Sequence, residues 1–249
     1  MRVTILGSGT GLFSVERNAA GYWLRAAGES ILIDCGSGTL RQLLKAGGDW
    51  RTLDRLFLTH THVDHLGDLA PLFHALHYHL PDRVKPFTVY GPPGFGEFFA
   101  RFIEPLSGMP EGFPCQAREA TAEQWAGNLR ILTQPTVHSK RMNSLAYRFE
   151  WGGKSVLFSG DSDYDPGLIA FAQGVDLLLL DASTLAENKF TGHMSAAECG
   201  RVAHQAGAGR LVLSHFYPID GPDSRRLEEC NRFYSGPVVL AEDFLTLEI

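Results

Sequence analysis

The sequence lacks an excess of positive charge: Lys and Arg total 22 against 28 Asp and Glu, for a formal net charge of −6 over 249 residues. It has no basic run of the kind that tracks a phosphate backbone, so a nucleic-acid partner would have to be held locally. Long apolar runs are missing as well. The longest, such as residues 175–180 and 31–33, fall far short of the roughly 20 residues that cross a bilayer, and the N-terminus has neither the charged start nor the apolar stretch of a signal peptide. A soluble, cytoplasmic protein with no membrane partner is therefore expected. Cysteine is sparse. Cys35, Cys115, Cys199 and Cys230 are widely spaced with no CxxC pair, which suits separately placed reduced thiols better than a disulfide frame or a structural zinc knot. Low-complexity tracts, repeats of fixed period and a Ser/Pro/Gly linker are also absent, so one domain over residues 1–249 is expected. With 44% hydrophobic and 20% charged side chains, disorder is excluded as the main state.

Short β-rich runs alternate with helical patterns, an α/β grammar. Residues 3–6, 22–25, 31–33, 55–59 and 87–90 read as strands, and 39–45 and 95–103 as helices. A further helix from about Leu66 carries Leu69, Leu72, Phe73 and Leu76 on one stripe. Gly and Pro crowd residues 106–114, a surface excursion, and residues 95–126 are expected to line or flank an entrance. The second half predicts strands at 129–133, 145–150, 155–158, 177–180, 211–213 and 238–240, with helices near 195–206 and 224–233. Trp151-Gly152-Gly153-Lys154 joins two of these strands as a hairpin turn. Four strands end in an ionisable residue: His60, Asp161, Asp181 and His215. Ligands of α/β sheets bind beyond the carboxyl ends of strands, so the recurrence predicts one shared site.

The densest chemical signal is His60-Thr61-His62-Val63-Asp64-His65, placed directly after a strand and before a helix. A patch of surface histidines would not explain that position. His60 and His62, two apart in an extended exit, can point to one side, while Asp64 and His65 begin the turn and can face a second point nearby. That arrangement fits two metals. Imidazole and carboxylate donors suit zinc best, with manganese and iron also possible. Downstream candidates are His138, Asp161 and His215; spacing alone does not assign ligands to ions.

HxHxDH followed by a lone His, a Gly-Asp after a strand and a late Ser-His resembles the metallo-β-lactamase superfamily over effectively the whole chain. The resemblance implies a four-layer αββα sandwich with a two-metal site along one edge. It would place His60, His62 and His138 on the first ion, Asp64, His65 and His215 on the second, and Asp161 across both. The match sharpens at residues 5–11, Arg17-Asn18, residues 32–39 and 41–44, and Gly192-His193-Met194-Ser195-Ala196-Ala197. These look like the ribonuclease Z (tRNase Z) branch, which cleaves RNA phosphodiesters at the 3′ side of tRNA precursors and is generally dimeric. That branch has a carboxylate at a strand end and a Gly-His pair before a helix. Asp181 and Gly192-His193 fill those places, although Asp stands where the branch pattern has Glu.

A phosphodiester resists attack because it is anionic and its alkoxide leaves poorly. Two cations would neutralise phosphoryl oxygens and lower the pKa of a bridging water to about 7, making hydroxide the nucleophile. Asp64 could orient that water or take its proton, and His193, held by Asp181, could protonate the leaving oxygen. Ribonuclease Z proper carries a basic arm between its third metal histidine and the bridging aspartate. Here two strands and a turn fill residues 139–160, which leaves no room for one. The expected substrate is therefore an RNA end or, equally, a small phosphodiester such as a cyclic nucleotide. A lactonase or thioesterase could use the same seven ligands without needing the acid, and a non-catalytic metal-binding module is a third reading.

Other residues read more plainly. The run Gly7-Ser8-Gly9-Thr10-Gly11 has Leu12 where a dinucleotide fingerprint demands glycine, so it is expected to form a tight loop bordering the metal crevice. A flavodiiron reading fails because that branch has Glu where His62 stands. His74, His77, His79 and His204 are expected to be packed or solvated. Asp34, ending a strand, either tethers the ligand loops by hydrogen bonds or simply forms a turn.

Overall fold

The structure, a computed structural model, describes residues 1–80, 82–218 and 221–249. Two seven-stranded mixed sheets lie face to face. The first contains β1 (Arg2–Gly7), β2 (Gly21–Ala26), β3 (Glu29–Ile33), β4 (Arg55–Phe57), β5 (Phe87–Gly91) and β6 (Cys115–Glu119), with β14 (Thr246–Glu248) on the far side of β1. The second contains β7 (Glu123–Ala126), β8 (Leu129–Pro135), β9 (Leu145–Trp151), β10 (Lys154–Phe158), β11 (Leu177–Asp181), β12 (Leu211–Ser214) and β13 (Val238–Leu240), ordered in space as in sequence. Each sheet is antiparallel in one half and parallel in the other. β3 to β6 run parallel in the first and β10 to β13 in the second.

Side-chain alternation sorts the apolar residues into three layers. Val3, Ile5, Leu24, Ile33 and Phe57 meet Ile131, Tyr147, Phe149, Val156 and Phe158 between the sheets. The four leucines of β11 show the rule most simply: Leu177 and Leu179 point into this layer, while Leu178 and Leu180 point to the outer face. A parallel strand covered on both sides reads as an unbroken apolar run for that reason. The outer face of the first sheet is covered by α1 (Thr39–Lys45), the single turn α2 (Val63–Leu66), α3 (Leu69–His79), α4 (Phe95–Phe98) and α5 (Glu104–Ser107). The last two are joined by a π-helical stretch, Phe99–Ile103. The second sheet is covered by α6 (Pro166–Phe171), α7 (Ala196–Ala206) and α8 (Ser224–Asn231). The result is the expected four-layer αββα sandwich.

Differences from the sequence reading fall at the edges. Residues 95–126, expected to line or flank an entrance, bury Phe95, Phe99, Ile103 and Phe113 against the outer face of the first sheet. They then supply β6 to one sheet and β7 to the other, carrying the chain across. β6, β7 and β14 are short edge strands whose mostly exposed or half-exposed residues carry little apolar pattern, so backbone pairing rather than local composition makes them strands. The helix α6 has six residues, too few for a periodic signal. It is set by the Asp165 side chain, which accepts from Leu168 N. The expected hairpin between β9 and β10 is present, with Gly152 at φ 62° and Gly153 at φ 75°, the left-handed pair that a tight two-residue turn demands.

Phe57 stands at the centre of the inter-sheet layer, its ring centroid 4.8 Å from Tyr90, 5.2 Å from Tyr147 and 5.4 Å from Phe149. It is also the last residue of β4, three before His60. Phe57→Ala is expected to cost about 3 to 5 kcal/mol in urea unfolding; a loss below about 1 kcal/mol would contradict this central packing.

Candidate metal centre

Five strands release a polar residue at one end of the seam between the sheets: Asp34 after β3, His60 after β4, Asp161 after β10, Asp181 at the end of β11 and His215 after β12. The backbone stays extended through His62, at φ −68° and ψ 149°, so side chains two apart emerge on one side. The ring centroids of His60 and His62 accordingly lie 4.7 Å apart. The chain then turns into α2, which carries Asp64 and His65. That turn depends on glycine at position 36, where a Cβ would stand 2.0 Å from the Asp64 carbonyl oxygen. A second close approach fixes His138, since a Cβ at Gly192 would lie 2.4 Å from its carbonyl oxygen. The glycine-rich loop borders the crevice as expected: a Cβ at Gly11 would sit 3.5 Å from Asp64 Cγ.

All seven residues named above as ligands come together, in two nests. In the first, His62 Nδ1 lies 2.9 Å from His60 Nε2 and 3.0 Å from His138 Nε2. Asp161 Oδ2 completes it, 3.7 Å from His60 Nε2 and 3.8 Å from His138 Nε2. In the second, His65 Nε2 and His215 Nε2 are 3.2 Å apart, and Asp64 Oδ2 stands 3.7 Å from the former and 3.5 Å from the latter. Asp161 Oδ1 lies 3.3 Å and 3.4 Å from the same two nitrogens. One carboxylate therefore turns an oxygen to each nest.

Hydrogen bonds on the far side of the rings settle which nitrogen faces inward. His138 Nδ1 donates to Gly192 O at 2.8 Å, and His65 Nδ1 donates to Asp34 Oδ2 at 2.8 Å, leaving each Nε2 lone pair directed at a nest. Asp34 also accepts from Thr59 N at 2.8 Å and from Thr59 Oγ1, which itself lies 3.0 Å from His60 Nδ1. Of the two readings of Asp34, the tether is the one observed. Asp34 and His215 both hold left-handed backbone, at φ 57° and φ 60°.

The donor set fits a pair of divalent ions. Donors held about 2.1 Å from a tetrahedral ion stand about 3.4 Å from one another, which is close to the spacing in both nests. Asp161 Oδ1 is buried and accepts no hydrogen bond, a costly state for a carboxylate unless a cation lies beside it. Electrostatics point the same way. Burial pushes His60 well below the usual imidazole range, as a neutral ligand requires. Burial also opposes charge on His65 and His215, yet Asp161 leads the groups that raise both, His215 to about 10. Burial would raise the Asp161 carboxyl, but His215, His65 and His60 hold it well below the carboxylate range. The pocket demands positive charge, whether from protons or from metal.

His193 and Asp181 form a pair against the second nest. His193 Nδ1 lies 2.8 Å from Asp181 Oδ2, so the shorter carboxylate still reaches the ring. Burial lowers the His193 pKa and Asp181 raises it, with a net upward shift. The His193 and His215 rings lie parallel to within 7° at 5.6 Å. Between them sits Ser183, which the sequence reading did not single out. Its Oγ donates to Asp181 Oδ1 at 2.5 Å and lies 3.1 Å from both His193 Nδ1 and His215 Nδ1. The available signal was its position two residues beyond a strand-end carboxylate, on the same side. A second group missed is Arg226, fully buried, which donates to Ala182 O, Ser183 O and Tyr217 O and so ties the ends of β11 and β12 together. Among the described residues, His74, His77, His79 and His204 join neither nest. His77 Nδ1 donates to Met109 O, and His74 packs on Tyr78. The four cysteines are free thiols, as expected.

A family model described as the Beta-lactamase superfamily domain matches residues 29–216. Ribonuclease Z of Archaeoglobus fulgidus is 27% identical over 311 aligned positions, covering 100% of this chain and 97% of that one. Because this chain has 249 residues, at least 62 of those positions have no counterpart here. The probable metallo-hydrolase YhfI of Bacillus subtilis is 29% identical over 246 residues, 97% of each chain. Its crystal structure superposes with a TM-score of 0.88 at 27% identity, covering 100% of this chain and 99% of that one. The short form of human tRNase Z superposes with a TM-score of 0.79 at 25% identity, over 100% and 99%.

Removal of the acceptor for His65 Nδ1 tests the outer hydrogen bonds. Asp34→Ala is expected to weaken zinc binding about 10- to 100-fold in chelator competition; unchanged affinity would make Asp34 a turn residue and nothing more.

Proposed function

The chain belongs to the beta-lactamase superfamily, and we propose that, as a metal-dependent hydrolase of that family, it cleaves phosphodiesters with two divalent ions held at the sheet seam. His60, His62 and His138 would hold one ion, Asp64, His65 and His215 the other, with Asp161 shared. The observation that carries this reading is the split of the Asp161 carboxylate, one oxygen toward each set of nitrogens. When bound, such a pair supplies Lewis acidity that neutralises phosphoryl oxygens and lowers the pKa of water.

The chain's own residues supply the rest. Asp64 offers one oxygen to the second nest, and its other oxygen can orient the attacking water and accept its proton. Asp181 keeps a proton on His193 Nδ1 and fixes the ring, so that the opposite nitrogen can give its proton to the departing oxygen. The P–O bond to the leaving group breaks as the bond to water forms, yielding a phosphomonoester and an alcohol. The acid pair favours this reading over a lactonase or thioesterase sharing the same ligands, and a non-catalytic module would have no use for it. Zinc as the resident ion, a homodimer and a cytoplasmic setting belong to the same reading. Among the described residues no helix is long and apolar enough to cross a membrane.

The substrate class is an RNA end or a small phosphodiester. Chelation should abolish turnover of bis-p-nitrophenyl phosphate or precursor tRNA, and zinc should restore it; silence of the zinc-loaded protein on both substrates would end the phosphodiesterase reading. His193→Ala is expected to lower turnover about 10²- to 10⁴-fold on phosphodiesters with alkoxide leaving groups. It should have much less effect on nitrophenyl esters, whose leaving group needs no proton. Undiminished alkyl phosphodiester turnover would remove His193 from the reaction.

A further inference from the structure

The mouth of the metal centre is walled by aromatic rings beside the proposed proton donor. Phe190, 37% exposed, has its ring centroid 5.0 Å from His193 and 5.4 Å from Tyr217, which it meets at 88°. The half-buried Tyr217 ring lies 5.8 Å from His193 and 6.0 Å from His215. Other loops carrying the centre also expose apolar groups: Leu12 beyond Gly11, Val63 between His62 and Asp64, and Val137 before His138.

Cations are few on the same loops. Arg17 pairs with Asp223, and Lys189 with Asp163 and Glu198. Among the described residues of these loops, that leaves Lys140 and Arg141, both exposed and just past His138, as cations without a carboxylate partner. Two free cations suit a substrate with one or two phosphates. A polynucleotide track needs a longer series, because its affinity comes largely from many phosphate contacts. A flat ring, by contrast, finds a ready shelf, since aromatic side chains stack any base by its π-face.

From this combination we infer that the site takes a small phosphodiester carrying a flat aromatic group, of mononucleotide size, with that group against Phe190 and Tyr217. The inference rests on the phosphodiesterase reading and narrows it. The aromatic shelf lies on the His193 side, so the ring-bearing part of the substrate is the one bonded to the oxygen that receives the proton.

Steady-state kinetics on the zinc-loaded protein test it with paired substrates. Cyclic adenosine monophosphate is compared with its abasic ribose counterpart, methyl phenyl phosphate with dimethyl phosphate, and both pairs with precursor tRNA. Calorimetry of adenosine monophosphate binding adds a readout independent of turnover. Phe190→Ala is expected to raise KM for the ring-bearing substrates and to weaken adenosine monophosphate binding, each about 5- to 150-fold. The ringless substrates should not change, and Phe190→Trp should restore the loss. A preference for the adenosine member over the phenyl one identifies a nucleobase as the ring. Hydrolysis of ring-bearing and ringless substrates alike, with Phe190→Ala acting equally on both, overturns the inference and leaves the phosphodiesterase reading standing. Precursor tRNA as the preferred substrate does the same. Silence on every phosphodiester overturns both.

Discussion

The structure depends on burying negative charge at a seam between two sheets. Asp34, Asp161 and Asp181 are almost fully enclosed, and Asp64 lies beside them. Isolated carboxylates in such a place would be driven to protonate. Asp161, Asp181 and Asp64 are held below the usual carboxylate range because histidines face them, from segments 60–65, 193 and 215. Part of the pairing crosses between the sheets: Asp161 of the second faces His60 and His65 of the first, and Asp64 of the first faces His215 of the second. The central apolar layer holds the sheets at the distance where that exchange works.

Geometry then divides the labour. Asp161 comes from the second sheet and addresses both groups of nitrogens; His60, His62, Asp64 and His65 come from the first within six residues. The rings are aimed from behind by groups outside the nests, namely Thr59, Asp34, Ser183 and the Gly192 carbonyl. Behind these in turn sits the Arg226 guanidinium, 4.9 Å from the Phe216 ring, with Arg17 at 4.7 Å from the same ring. The loop that carries His215 is thus anchored to the N-terminal glycine loop, and two distant parts of the chain share one support.

Much of this was legible before any coordinates. The HxHxDH run and the strand-end positions of Asp161 and His215 mark chemistry that sequence periodicity places at one end of a sheet, and the Gly-His pair was marked by the family resemblance. The α/β class followed from the alternation of strand and helix patterns, and the four-layer arrangement was implied by the resemblance to the metallo-β-lactamase superfamily. Legibility failed where tertiary partners decide. β6 and β14 are strands because a neighbour pairs with them, and Ser183 matters only because two imidazoles from elsewhere converge on it. Arg226 lies in a helix that the sequence predicts, but its burial depends on carbonyls of two loops that no local pattern links. The split of the Asp161 oxygens is likewise a property of the assembled seam.

Asp34 and His215 adopt a backbone conformation that glycine would accept more easily. Such positions cost of order 1–3 kcal/mol and persist when something else over-determines them. Here Asp34 is held by the hydrogen bonds it accepts from Thr59 and His65, and His215 by its place against Asp64 and Asp161. Drift toward glycine at either position would ease the chain locally and delete a link in the seam. A change to glycine at either position therefore trades backbone ease for unpartnered groups inside the seam, so the two bent turns endure as the cost of holding the buried charges in register.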